Sequence, residues 1–148
     1  MRSYEKRCET YTNALVTYGD RHQMIVAVEE LSECIAEMSA RESSRENLTE
    51  EIADVLICME QLDMIFHMDM YEEGDVRFHD MVHLMSLCQK EICKVLRGGE
   101  SFPTMAASVR AVQKWLGRYI QFMRYEIDVE DWMEAKVERL DERLRNGR

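Results

Sequence analysis

The chain has 148 residues, 46% hydrophobic and 32% charged, with 29 acidic against 19 basic side chains. That length fits one domain able to bury roughly two-thirds of its unfolded surface, and a formal charge of −10 argues against sequence-independent nucleic-acid binding, which needs cations to displace counterions. One proline and six glycines exclude a collagenous or low-complexity chain and leave little punctuation for an all-β fold.

Helical periodicity runs nearly throughout. Tyr4 to Val16 reads as a first helix, ended by Tyr18-Gly19. Asp20 is placed to cap the second, with Gln23 closing a capping box, and Met24, Val28, Leu31, Ile35 and Met38 mark its apolar face. After polar Ala40 to Arg45, Asn47 and Glu50 form a second capping box, opening a helix with Leu48, Ile52, Val55, Met59, Leu62 and Phe66 on one stripe. Glu73-Gly74-Asp75 is the next turn. A fourth helix carries Met81, Met85, Cys88, Ile92 and Val95 and stops at Gly98-Gly99. Pro103 suits the first turn of a fifth, running to about Glu126. Asp128 can cap the last, which carries Trp132, Val137, Leu140 and Leu144 and frays at Asn146-Gly147. The expectation is an all-α bundle of five or six helices in a single domain, residues 1–148. Sliding the chain by 57 residues lays Met24, Val28, Leu31 and Ile35 over Met81, Met85, Cys88 and Ile92, a weak internal repeat that any two amphipathic helices can imitate.

No run reaches the roughly 18 uncharged apolar residues of a membrane span, and Met1 to Thr12 lacks the apolar core of a secretory signal. Five cysteines (Cys8, Cys34, Cys58, Cys88, Cys93), never spaced as CxxC, read as buried reduced thiols in a cytoplasmic protein.

The charge is unevenly placed. Residues 22–76 hold fifteen acids against two bases, Arg41 and Arg45, a local charge of −13, and the remainder is +3. Surface helices ordinarily interleave signs so that i,i+4 pairs form. Carboxylates concentrated without counter-ions repel one another unless something neutralises them, and a divalent cation with oxygen ligands is the obvious candidate. Glu51 falls inside the apolar stripe of the third helix, with Asp54 flanking it beside Cys58. A carboxylate there costs several kcal/mol unless paired or metal-bound.

Two acidic pairs stand out, Glu30-Leu31-Ser32-Glu33 and Glu51-Ile52-Ala53-Asp54. Residues three apart share a helix face, so two antiparallel helices can offer four carboxylates to one ion. With Glu29 and Glu50 doubling the first acid of each pair, and Tyr18-Gly19 and Gln23 upstream, the arrangement resembles the MazG-like all-α nucleoside triphosphate pyrophosphohydrolases, relatives of the dimeric dUTPases and of phosphoribosyl-ATP pyrophosphatase. Glu60-Gln61-Leu62 and Lys136-Val137-Glu138-Arg139-Leu140 are also similar to sequences of that family. The resemblance covers residues 18–69 well and 128–144 loosely, whereas 70–127 is additional helical material. It implies Mg2+, with Mn2+ as a substitute, held by Glu30, Glu33, Glu51 and Asp54. The implied reaction is hydrolysis of the α–β anhydride of a (d)NTP to a nucleoside monophosphate and pyrophosphate. Glu29 and Glu50 would orient water or support the ligands, beside the plainer reading of a solvated flank and a capping acid.

A triphosphate site also needs cations. Arg110, Lys114 and Arg118 recur every four residues on the fifth helix and are the expected phosphate contacts, with ordinary salt bridging as the alternative. Lys90, Lys94 and Arg97 form a similar stripe on the fourth. Tyr18, just before the motif, is the candidate to stack on a base, with Gln23 beside it. His79 and His83 are one turn apart but have no third zinc ligand of comparable quality. Short members of the family build their bundle from two chains, and the second helix carries apolar residues on more than one side, so a homodimer is expected, the alternative being a self-contained monomer in which residues 70–127 stand in for the partner. The competing class is a non-catalytic acidic helical interaction protein, which explains the charge but not Glu51 in an apolar stripe.

Overall fold

The computed structural model describes residues 4–71, 74–99 and 102–147, and all of its regular structure is helical. Six α-helices follow one another: α1 (Tyr4–Tyr18), α2 (Asp20–Ser39), α3 (Arg45–Phe66), α4 (Met81–Leu96), α5 (Phe102–Met123) and α6 (Glu126–Arg145), with one 3-10 turn, Met68–Met70, after α3. The turn expected at Glu73-Gly74-Asp75 lies partly outside the described residues, as do the first three residues of the N-terminal stretch.

Two helical hairpins, α2–α3 and α4–α5, pack side by side with α4 against α2 and α5 against α3. Helix α6 closes over α3, and α1 lies chiefly on α6. Helix α3 is therefore central, and ten of its residues are buried rather than one stripe. The expected stripe residues Leu48, Ile52, Val55, Met59 and Leu62 are all among them. The core continues through Leu31 of α2, Leu84, Met85 and Ile92 of α4, and Val109, Val112 and Leu116 of α5. Methionines 59, 68, 85 and 105 are fully enclosed in it, where a flexible thioether fills gaps between non-ideal helix crossings.

The element bounds bear on the internal repeat. Shifted by 57 positions, the last residue of α2 (Ser39) falls on the last of α4 (Leu96), and the last of α3 (Phe66) on the last of α5 (Met123). The two hairpins share one register. The positions matching Glu30, Glu33, Glu51 and Asp54 are Leu87, Lys90, Ser108 and Ala111, so only the first hairpin carries the acids.

Three expected caps are corrected. Gly19, at φ 86°, is the N-cap of α2, and Asp20 is already helical. Glycine has no side chain with which to cap, and the Asp20 carboxylate accepts from the Arg21 N–H at 2.7 Å from within the first turn. Ser44, not Asn47, caps α3: its Oγ accepts from the Asn47 N–H at 3.0 Å. Helix α6 begins at Glu126, ahead of Asp128, because α5 ends early at Met123. There Arg124 is left-handed (φ 59°), with Arg124 N–H donating to Gln121 O (3.2 Å) and Tyr125 N–H to Ile120 O (2.9 Å). The same paired bonds end α4 at Gly98-Gly99, as expected, with Gly98 N–H to Val95 O and Gly99 N–H to Lys94 O.

Among the described residues no helix is long and apolar enough to cross a membrane. Much of the apolar circumference of α2 is covered within the chain by α3, α4 and α1, while Ile25 stays 40% exposed.

Candidate metal centre

The turn at 40–44 returns the chain so that α2 and α3 pack along their lengths. This brings Glu30 and Glu33 on one helix to Glu51 and Asp54 on the other, one oxygen from each lying within 4.8 Å of all the others. It is the one group of three or more possible metal ligands among the described residues. Glu33 is exposed at the rim and the other three are half-buried.

The electrostatics are those of uncompensated charge. Glu30 Oε2 and Glu51 Oε2 are buried with no hydrogen-bond partner, and ionised carboxylates have no donor to offer one another. Burial, then the charges of Asp54 and Glu33, push the Glu30 carboxyl up to about 8. Burial and the same two neighbours push Glu51 up to about 7. Asp54 is also raised by burial, against the pull of Lys136. Cys34, enclosed behind the acids, is pushed up to about 12 by burial and by Glu51 and Asp54, which makes it an inert thiol.

One cation reaches the cluster. Lys136 of α6 donates to Glu50 Oε2 and Asp54 Oδ2, both at 3.1 Å, and lies 2.9 Å from Asp54 Oδ1. Burial alone would lower its pKa, but the bonds to Asp54 and Glu50 leave it raised. One ammonium against four carboxylates and Glu50 leaves the site strongly negative.

The donor set suits a hard divalent cation. Oxygens around Mg2+ at about 2.1 Å lie between about 3 and about 4.2 Å apart. A spread of 4.8 Å therefore needs only a small contraction to close on one ion. It also leaves room for two ions sharing ligands, and the orphaned Glu30 and Glu51 oxygens are the atoms with most to gain.

A groove of about 490 Å³ runs from the cluster, with Glu29, Glu30, Asp54 and Lys136 on one side and Tyr18, Gln23, Val26 and Ile57 among its other walls. Tyr18 and Gln23 are thus placed beside the acids, as expected, and the Tyr18 and His22 rings lie 5.0 Å apart. A second opening of about 560 Å³ continues along α6 past Asp54, Lys136, Arg139 and Arg143. Glu29 is exposed at the groove, and Glu50 is engaged by Lys136 rather than closing a capping box.

The stripe Arg110–Lys114–Arg118 does not come to the acids within the chain. Arg110 donates to the carbonyls of Met68 (3.4 Å) and Tyr71 (3.1 Å), and Lys114 and Arg118 lie over the Trp115 ring at 5.7 and 4.6 Å. Their helix packs chiefly on α4 and α3. Lys136, Arg139 and Arg143 follow one another at three- and four-residue steps, the same-face signal that singled out the acids. Lys94 pairs with Glu91 of its own helix at 3.0 Å, the ordinary salt bridging weighed above. His79 and His83 stack on one another at 4.8 Å, and the His79 N–H donates to His83 Nδ1, which occupies a nitrogen that zinc would need.

Comparison of the chain with protein-family models, curated proteins and solved structures returns no match.

Proposed function

We propose that the protein is a Mg2+-dependent nucleoside triphosphate pyrophosphohydrolase, with Mn2+ able to replace Mg2+. The observation that carries the reading is the pair of buried, partnerless oxygens, Glu30 Oε2 and Glu51 Oε2, inside a four-carboxylate cluster that opens on a groove with cations along one wall. An acidic surface for protein binding has no use for carboxylates withdrawn from water.

In this reading Glu30, Glu33, Glu51 and Asp54 hold the metal, which supplies neutralisation of phosphate charge and electrophilic assistance to the anhydride. Arg139 and Arg143 take the outer phosphates, Arg by the bidentate fork that suits them. Lys136, bonded to Asp54 and Glu50, would turn to the substrate's phosphates in a metal-loaded site. Tyr18 offers a ring face and Gln23 an amide to the base. Water adds to the α-phosphorus and the α–β bridging oxygen leaves with pyrophosphate. Glu29, exposed at the groove, orients that water and accepts its proton, with Glu50 freed for the same task once Lys136 moves. Phosphoryl transfer asks for positioning and charge stabilisation rather than covalent catalysis, which is what these groups provide.

The test is pyrophosphate release from a panel of ribo- and deoxynucleoside triphosphates with Mg2+. Glu51→Gln and Asp54→Asn should each lower turnover by at least about a hundredfold, on the order of 3 kcal/mol in the barrier, while keeping the helical circular-dichroism signal. Full activity in folded variants overturns the metal assignment, and orthophosphate as product would mean that a different bond is cut.

A further inference from the structure

A second cavity, of about 340 Å³, lies between α3, α5 and α6, with Arg7 of α1 at its edge. Its walls come from the side of α3 that carries Leu56 and Glu60, about half a turn of the helix away from Glu51 and Asp54. The floor is apolar: Ile120, Val129 and Met133 are buried and Leu56 half-buried.

The rim is acidic. Glu60 is fully matched, with Arg7 bonding both its oxygens (2.7 and 3.0 Å) and the Tyr11 hydroxyl donating to Oε2 at 2.7 Å. Glu126, Glu130 and Glu134 follow at four-residue steps on α6 and line the same cavity. Like charges at that spacing repel, and neither Glu126 nor Glu130 has an ion-pair partner among the described residues. Ile127, 73% exposed, borders Glu130 and Glu134 on the helix wheel and extends the apolar surface to the rim.

Gly117 keeps the cavity open. It sits in the interior of α5, where glycine costs about 1 kcal/mol relative to alanine, yet a Cβ added there would meet nothing within 4 Å. Packing does not exclude a side chain; the space beyond Gly117 is the cavity itself. In the 57-residue register the position matching Gly117 is Glu60, which lines the same cavity and holds Arg7 and Tyr11.

We propose that this cavity binds a small organic cation, an ammonium or guanidinium carried on an apolar body of about the size of one ring. The volume reaches the roughly 300 Å³ at which ligand pockets begin, and an apolar floor under a polar rim that also holds Gln113 and Gln121 suits a ligand with an apolar body and a polar head. The apolar body lies on Val129, Met133 and Ile120 against Gly117. The cation meets Glu126 and Glu130 and relieves their repulsion.

Isothermal titration and ligand-observed NMR with 2-phenylethylammonium, on the full chain without Mg2+, test this. Saturable one-to-one binding is expected, lost in Gly117→Leu, whose side chain fills the cavity, and weakened at least about fivefold in Glu126→Gln/Glu130→Gln. Spermine, which has charge without an apolar body, and phenylacetate, which has the body with the opposite charge, should bind at least about tenfold more weakly. No saturable binding overturns the proposal, as does equal binding by spermine or phenylacetate. Should Gly117→Leu fail to fold, the double Gln variant decides: unchanged affinity there overturns the proposal.

Discussion

Glu30 and Asp54 face the same cluster but differ in what they lean on, and substitution separates them. Glu30 Oε2 has no donor, so Glu30→Gln removes a repelling charge and raises the melting temperature of the metal-free protein. Asp54 is held by Lys136 at 2.9 Å, which offsets part of the burial that raises its pKa, so Asp54→Asn should raise that temperature less than Glu30→Gln does. Both variants lose the stabilisation that millimolar Mg2+ gives the wild type. Thermal melts of the three proteins, with and without metal, check this, and equal shifts in both variants would contradict the assignment of Lys136. The raised carboxyls set a pH dependence as well. A carboxyl whose pKa rises on folding contributes stability that is complete below its unfolded pKa and is lost as pH climbs through the folded one. For Glu30 the window runs from 4.5 to about 8, so the metal-free protein should melt lower at pH 8 than at pH 5.5. Mg2+, which competes with the proton for the same oxygens, should recover most of that loss at pH 8 and little at pH 5.5.

At the scale of the element, helix ends give the sharpest expectations. Ser44 Oγ satisfies the Asn47 N–H at the start of α3, and α3 is the helix on which the bundle is built. Ser44→Ala should cost about 1 kcal/mol, read as a lowered urea midpoint at unchanged slope, whereas Asp20→Ala should cost less, since Gly19 holds the N-cap position and the Asp20 carboxylate accepts only from the adjacent Arg21 N–H at 2.7 Å. Arg124 occupies a left-handed position at φ 59° that costs a side-chain-bearing residue roughly 1–2 kcal/mol. Arg124→Gly should therefore raise stability by up to about 1 kcal/mol, the flexibility of glycine in the unfolded chain offsetting the rest. The residue types for these ends stand in the sequence. Which of two neighbours acts does not: Ser44 and Asn47 are both good caps, and the choice depends on where α2 lets go of the chain.

For the whole molecule, the register shared by α2–α3 and α4–α5 bears on assembly. The second hairpin lies against the first, with α4 on α2 and α5 on α3, and covers apolar surface that would otherwise seek a second copy. Light scattering at micromolar concentration should give the mass of one chain, 17.5 kDa; a mass of two chains would place the dimer interface elsewhere. Metal binding to the folded chain alone should raise its stability by mass action, about 2.7 kcal/mol at a hundredfold excess over the dissociation constant, read as a melting temperature that climbs with Mg2+ concentration.

Local signals in the sequence determined the helices, the breaks between them and the two acidic pairs, because 3.6-residue periodicity, glycine stops and carboxylate spacing are properties of neighbouring residues. They put Glu30 with Glu33, and Glu51 with Asp54, on one face of each helix, and the turn at 40–44 brought the two pairs together. The partner of those acids was a different matter. The basic residues of α5 and of α6 are both spaced on one face, and spacing cannot rank two stripes lying 60 and 80 residues from the motif. Packing ranked them: α6 lies on α3 and delivers Lys136 to Asp54, while Arg110 of α5 is spent on the carbonyls of Met68 and Tyr71. The apolar surround of α2 was legible too, yet what covers it was decided only when the second hairpin took its place, since the sequence states that a face must be buried and not against what.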